Sequence, residues 1–304
     1  MSLEQLFQFA AETGFAAVDL TAYYIPGYPL PPSDELLYEI KRKAFRKGIS
    51  LSGTGVRNDF TVSDPEKLAG EIEHVKEWIV AASKLGAPNI RVFDGKAKSS
   101  GTVAGPIRKQ VVDAFRECSR FGARHGVNVA FQNHHDFLRS TEEIIDIIQR
   151  VDSEWFGLML DTGSVVGPDP YLEIEKLVPY AVSWQVKENI RTGSSSEALD
   201  VKRLINLLHK HQYHGFLPIE TLGEGDPRIE LVGGGDVGDT GSGVRRVAPL
   251  RPRHPDRGRS RDAECPEQHP SSGRGRRRPR RAGGCLAGTG RRAGTVRHHR
   301  DQVG

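Results

Sequence analysis

Four short segments each close an apolar run on an oxygen-bearing side chain: Gln132 in AFQNHHDF, Asp161 in LMLDTGS, Gln185 in WQVKEN and Glu220 in LPIETLG. Two carboxylates and two amide carbonyls brought to one point would suit a hard divalent ion such as Mg2+ or Mn2+. Residues two apart on a strand face the same way, so Gln132 pairs with His134 and Gln185 with Lys187. A single polar residue at a strand end does no more than meet solvent. An Asp in an LDTG turn can likewise be occupied in accepting backbone N–H groups. Four in succession, each on an otherwise apolar strand, point to one shared site.

The elements that must position them alternate between β-like runs and amphipathic helical stretches, the pattern of βαβ units around a parallel sheet. Strands are expected at FAAVDLT (15–21), ISLSGTG (49–55), NIRVFDG (89–95), VNVAFQN (127–133), FGLMLDT (156–162), VSWQVKE (182–188) and GFLPIET (215–221). Helices are expected before each, at about 2–13, 34–47, 65–85, 106–125, after a Ser140/Glu143 capping box, after Asp169-Pro170, and at about 198–212. The 65–85 helix reads as capped by Ser63 and Glu66, with Pro65 in its first turn. Seven helix-led strands describe a (β/α)8 TIM barrel lacking its first strand and last helix. No strand leads into GxGxxG. The nearest cluster, Ser52-Gly53-Thr54-Gly55, runs into Val56-Arg57-Asn58 rather than a helix, which argues against a dinucleotide fold.

Composition divides the 304 residues into two parts. Residues 231–304 hold 17 Arg, no Lys and 7 acidic residues, a net +10, whereas 1–230 carries −6. The second part has no Phe, Tyr, Trp, Ile or Met and reads as a disordered tail. RGRRRPRR (274–281) could be the centre of a nucleic-acid-binding arm. The absence of Lys instead favours out-of-frame translation of a GC-rich gene, and argues against nucleic acid as a partner. The expected domains are therefore a barrel over 1–230 and a tail over 231–304. No apolar run is long enough for a membrane span, and Cys118, Cys265 and Cys285 form no CxxC pair. The chain reads as cytoplasmic. Without its first strand the barrel is expected to expose edges that invite self-association.

The run from TGFAAVDLTAYYIPGYP through GTGVRNDF, AFQNHHDF, LMLDTGS, YAVSWQVKEN and GFLPIETLGEGDPR resembles the xylose isomerase-like TIM-barrel superfamily, and within it the sugar phosphate isomerases/epimerases. The resemblance covers about residues 1–230. It implies a divalent-metal site built from the last four strands, normally Glu, Asp, His and Glu, whose two glutamates also move a proton beside a carbonyl. Mapped here, Asp161 and Glu220 keep the expected types, while Gln132 replaces the first glutamate and Gln185 the histidine. An amide can lend its oxygen to a metal but takes no proton at useful pH. The expectation is a weakened Mn2+ or Mg2+ site of Gln132, Asp161, Gln185 and Glu220, acting on a sugar or sugar phosphate. Glu220 is its base, and Lys187 or His134 the partner. Lys187 can also hold a developing enolate oxygen. Arg57 and Asn58 are candidates for a substrate phosphate or hydroxyl. His134, Trp184, Asn133, Tyr23 and Tyr24 are sugar-contacting types. The alternative is a non-catalytic carbohydrate-binding barrel or an inactive fragment. A zinc-dependent DNA-repair endonuclease on this fold would need several strand-end histidines, and only His134 and His135 lie near one.

Overall fold

The structure, a computed structural model, describes residues 2–96, 104–134, 137–192, 195–220 and 244–249. In chain order its elements are α1 (Leu3–Glu12), β1 (Ala17–Thr21), α2 (Asp34–Arg46), β2 (Ser50–Gly55), α3 (Pro65–Leu85), β3 (Asn89–Val92), α4 (Ala104–His125) and β4 (Asn128–Gln132). There follow α5 (Thr141–Val151), β5 (Phe156–Asp161), α6 (Pro170–Leu177), β6 (Ala181–Lys187), β7 (Asn189–Thr192), β8 (Ser195–Ala198), α7 (Val201–Lys210), β9 (Phe216–Glu220) and β10 (Val244–Pro249).

Local chemistry accounts for the helix starts. In α5 the expected capping box is present: Ser140 Oγ accepts from the Glu143 N–H at 3.1 Å, and Glu143 Oε2 accepts from the Ser140 N–H at 3.2 Å. In α3 the cap is one residue later than expected. Asp64, not Ser63, accepts from the N–H groups of Glu66 and Lys67 at 3.0 and 3.4 Å, and Pro65 opens the first turn. Gly86 closes that helix in the left-handed region, at φ 78°.

β1, β2, β3, β4, β5, β6 and β9 form the seven parallel strands, in the barrel order β1-β2-β3-β4-β5-β6-β9. The remaining gap is filled from the Arg-rich part of the chain. β10 runs antiparallel to β1 on one side, with Ala17 opposite Val247, and antiparallel to β9 on the other, with Glu220 opposite Arg245. The edges expected to be open are thus paired, and at least these six residues depart from the disorder expected beyond 231. The rest of 231–304, including RGRRRPRR, Cys265 and Cys285, lies outside the described residues. A second addition is the antiparallel pair β7–β8, between β6 and α7.

Apolar side chains of the helices pack on the outer face of the sheet, where Trp78, Phe115, Phe131, Ile79 and Trp184 are fully buried. Inside the barrel two buried charges, Asp19 on β1 and Arg91 on β3, face β2 where Gly53 and Gly55 leave room. A Cβ on Gly53 would lie 2.5 Å from Asp19 Oδ2, and one on Gly55 2.7 Å from Arg91 Nε. Arg91 donates to the Val56 carbonyl and to the Tyr23 hydroxyl at 3.0 and 3.1 Å, and its guanidinium lies 4.3 Å from the Phe93 ring centroid. Cys118 is buried in α4, which pushes its thiol up to about 12. No helix among the described residues is long and apolar enough to cross a membrane.

Candidate functional site

Gln132, Asp161, Gln185 and Glu220 stand on four neighbouring strands, β4, β5, β6 and β9. The sheet register aligns Asp161 with Gln185, and Lys187 with Glu220. Each lies at or near the C-terminal end of its strand, so the four come to one end of the barrel. Gln132 Nε2 donates to Asp161 Oδ2 at 2.8 Å. Gln185 Nε2 and Lys187 Nζ both donate to Glu220 Oε2, and Lys187 Nζ is also 3.7 Å from Asp161 Oδ2. A carboxylate beside an amide selects the NH2 end, because the carbonyl end would be repelled. That choice turns Gln132 Oε1 and Gln185 Oε1 away, and both are buried without a hydrogen bond among the described residues. Each such atom costs about 1–3 kcal/mol until a donor or cation meets it.

Backbone chemistry fixes the two central side chains. Asp161 Oδ1 accepts from the Gly163 N–H at 3.0 Å, so the LDTG turn does use this carboxylate as a local acceptor. Asn133 braces the same residue: its Nδ2 donates to the Asp161 carbonyl and its Oδ1 accepts the Asp161 N–H, at 3.0 and 2.8 Å. The Lys187 N–H donates to Thr162 Oγ1 at 2.9 Å. Its stem passes where a Cβ on Gly163 would be 2.7 Å from Lys187 Cγ. Burial raises the Asp161 carboxyl above the usual carboxylate range, with Glu220 adding to the rise and Lys187 opposing it.

Over this cluster opens a cavity of about 470 Å3. Gln132, His134, Gln185, Lys187 and Glu220 line its floor and wall, and Tyr23, Arg57 and Phe93 its other side. Asp161 is wholly buried behind Gln132 and does not line it. His134 stacks edge-on against Phe93, with ring centroids 5.3 Å apart. The Arg57 guanidinium lies 4.8 Å from the Tyr23 ring centroid, exposed at the rim. Asn58 also lines the cavity, but both ends of its amide are engaged by the Phe93 backbone at 2.8 Å. It braces the end of β3 instead of presenting an open amide.

One expected site residue is corrected. Trp184 neighbours Gln185 on β6 and therefore faces the opposite side of the sheet. It is fully buried against Tyr213, with ring centroids 5.7 Å apart, and does not reach the cavity. Tyr24 is exposed outside the lining and Asn133 is buried. His135 lies outside the described residues. Sequence reasoning missed Phe93, Asp59, Glu71 and Lys96, which line the wall beyond β2 and β3. The signal for Asp59, Phe93 and Lys96 was the polar turn after VRN and the end of NIRVFDG, and Glu71, on α3, had none. Asp59 and Glu71 are occupied there: Asp59 Oδ1 accepts the Thr61 N–H at 2.9 Å, and Glu71 Oε2 the Asp59 N–H at 3.0 Å.

A TIM barrel is also what comparison with known proteins finds. The model of the xylose isomerase-like TIM barrel matches residues 7–235. The chain belongs to this family. Among solved structures it is similar to D-psicose 3-epimerase with D-tagatose from Clostridium cellulolyticum H10, at 18% identity and a TM-score of 0.61 over 72% of this chain and 79% of that one. It is similar to 3-keto-D-glucoside 4-epimerase from E. coli at 14% identity and a TM-score of 0.58, over 72% and 86% of the two chains. A xylose isomerase-like TIM barrel protein from Mycobacterium smegmatis, in complex with magnesium, matches at 21% identity and a TM-score of 0.58 over 72% and 80%. No curated protein matches the chain. These likenesses, two of them to sugar epimerases, establish the fold.

The divalent ion that the family implies can be tested against the residues present. The donor chemistry is all oxygen, and two amide oxygens are orphaned, as a hard cation would want. The arrangement nevertheless opposes it. The Asp161 and Glu220 oxygens that would complete the set already accept from the two amides and face Lys187. A divalent ion among these oxygens would have to share them with the Lys187 ammonium, which repels it. Among the described residues no three His, Cys, Asp or Glu side chains gather as a metal-binding group. With Lys187 seated there, the residues do not fit a divalent ion.

Proposed function

We propose that this family member moves a proton beside the carbonyl of a small sugar, with Glu220 as its single base and Lys187 as the charge that holds the enolate oxygen. The observation that supports this is the pairing of Lys187 with Glu220 in the floor of the cavity, the other site carboxylate, Asp161, being sealed behind Gln132. Glu220 takes the proton from the carbon next to the carbonyl. The C–H electron pair forms the carbon–carbon double bond, and the carbonyl electrons move onto oxygen beside the Lys187 ammonium. Glu220 then returns its proton to the former carbonyl carbon as the neighbouring hydroxyl proton passes to the enolate oxygen, and an aldose becomes a ketose. One base on one face suffices for that shift, whereas epimerisation requires a donor on the opposite face. His134, which lines the same cavity, is our candidate for that donor. Gln132, Gln185 and Arg57, which line the cavity, bind hydroxyls or a phosphate of the substrate.

The second reading, recognition without turnover, is favoured by the saturation of Glu220 Oε2 by two donors. A panel of small aldoses and ketoses, with and without phosphate, separates the two. Turnover that falls about 10²–10⁴-fold in Glu220→Gln, with binding retained, supports the enzyme. Sugar binding with no interconversion by the wild type supports the binding barrel.

A further inference from the structure

We propose that the Lys187 ammonium is the resident cation of this site, so that divalent ions are kept out and a metal pocket forms only when Lys187 is removed. The inference rests on the sugar-handling reading for the site's purpose, and on geometry alone for its substance. The cluster contains two buried carboxylates, two neutral amides and one ammonium. That ammonium is the side chain common to both carboxylates, hydrogen-bonded to Glu220 and 3.7 Å from Asp161. It is not there by chance of rotamer. Thr162 Oγ1 holds its backbone N–H, and the absent side chain of Gly163 leaves the channel through which its stem runs. Once Lys187 is gone, two carboxylates lose their compensating charge, and two buried amide oxygens already lack partners. Two uncompensated carboxylates, with two amides then free to turn their oxygens inward, are what a hard divalent ion requires.

The test is calorimetric titration of the full chain with Mn2+ alone, at neutral pH and without any sugar. The wild type is expected to show no saturable site tighter than about 1 mM, and Lys187→Ala to bind one Mn2+ at least about tenfold more tightly. Adding Asp161→Asn to Lys187→Ala is expected to abolish that gain. Lys187→Gln repeats the comparison if the alanine variant melts like an unfolded chain. A wild-type protein that binds one Mn2+ tightly and loses it in Asp161→Asn overturns the proposal, because ion and ammonium would then coexist. Folded Lys187 variants with no gain overturn it equally. Because the readout is metal binding, the sugar reading can fail while this inference stands, and the reverse.

Discussion

Asp161 shows how one residue can serve structure and chemistry together. It caps its own turn, anchors Gln132 and compensates Lys187, yet it is sealed from the cavity. Burial raises its carboxyl, so the stability tied to its neutral form is fully present at acid pH and is lost as pH rises through the raised value. Asp161→Asn removes that titration. The variant's melting temperature relative to the wild type is therefore expected to climb from pH 4 to neutrality. A wild type that instead gains on the variant over that range would mean that Lys187 outweighs burial. The residues at this scale were partly legible. Period-two alternation predicted that His134 would accompany Gln132, and Lys187 Gln185, around one cavity. The same alternation, applied to Trp184, would have excluded it as the neighbour of Gln185. Asn58 was illegible because nothing in its surroundings announces that the Phe93 backbone will take both ends of its amide.

Among the elements, β2 is the strand whose composition most depends on what lies opposite. Ser-Gly-Thr-Gly looks like a weak phosphate loop in one dimension, but in three it is the face that admits Asp19 and Arg91 to the barrel interior. No local pattern encodes that, since the partners come from β1 and β3. Gly55→Ala drives a Cβ to within 2.7 Å of Arg91 Nε and is expected to cost about 1–3 kcal/mol in denaturant unfolding. Gly70, on an exposed turn of α3 with open space around it, gives the opposite sign: Gly70→Ala should stabilise by about 0.5–1 kcal/mol. A Gly55→Ala variant as stable as the wild type would mean that the Arg91 side chain gives way and interior crowding does not limit β2. The α5 cap was readable because Ser140 and Glu143 satisfy each other locally. The β7–β8 pair was not, since Asn189–Ala198 has no apolar alternation to accompany its Gly193-Ser194 dipeptide.

For the whole molecule, the alternation of helix and strand made the parallel barrel legible along residues 1–230, and the closing strand was hidden by composition. Val244–Pro249 sits in an Arg-rich stretch without aromatic residues, yet its backbone pairs with both β1 and β9. A chain ending at 230 is expected to melt earlier and to scatter more light with concentration than one ending at 253, because it leaves two strand edges unpaired. Identical behaviour would show that β10 contributes nothing to closure. What the closed barrel holds at its strand ends is the central matter, and solvent deuterium reports on it most directly. In D2O with a chelator present, one sugar of the panel should acquire deuterium beside its carbonyl with wild-type protein, at a rate lost in Glu220→Gln. Undiminished incorporation by Glu220→Gln, or none by the wild type with any sugar, would contradict a proton-moving site centred on Glu220 and Lys187.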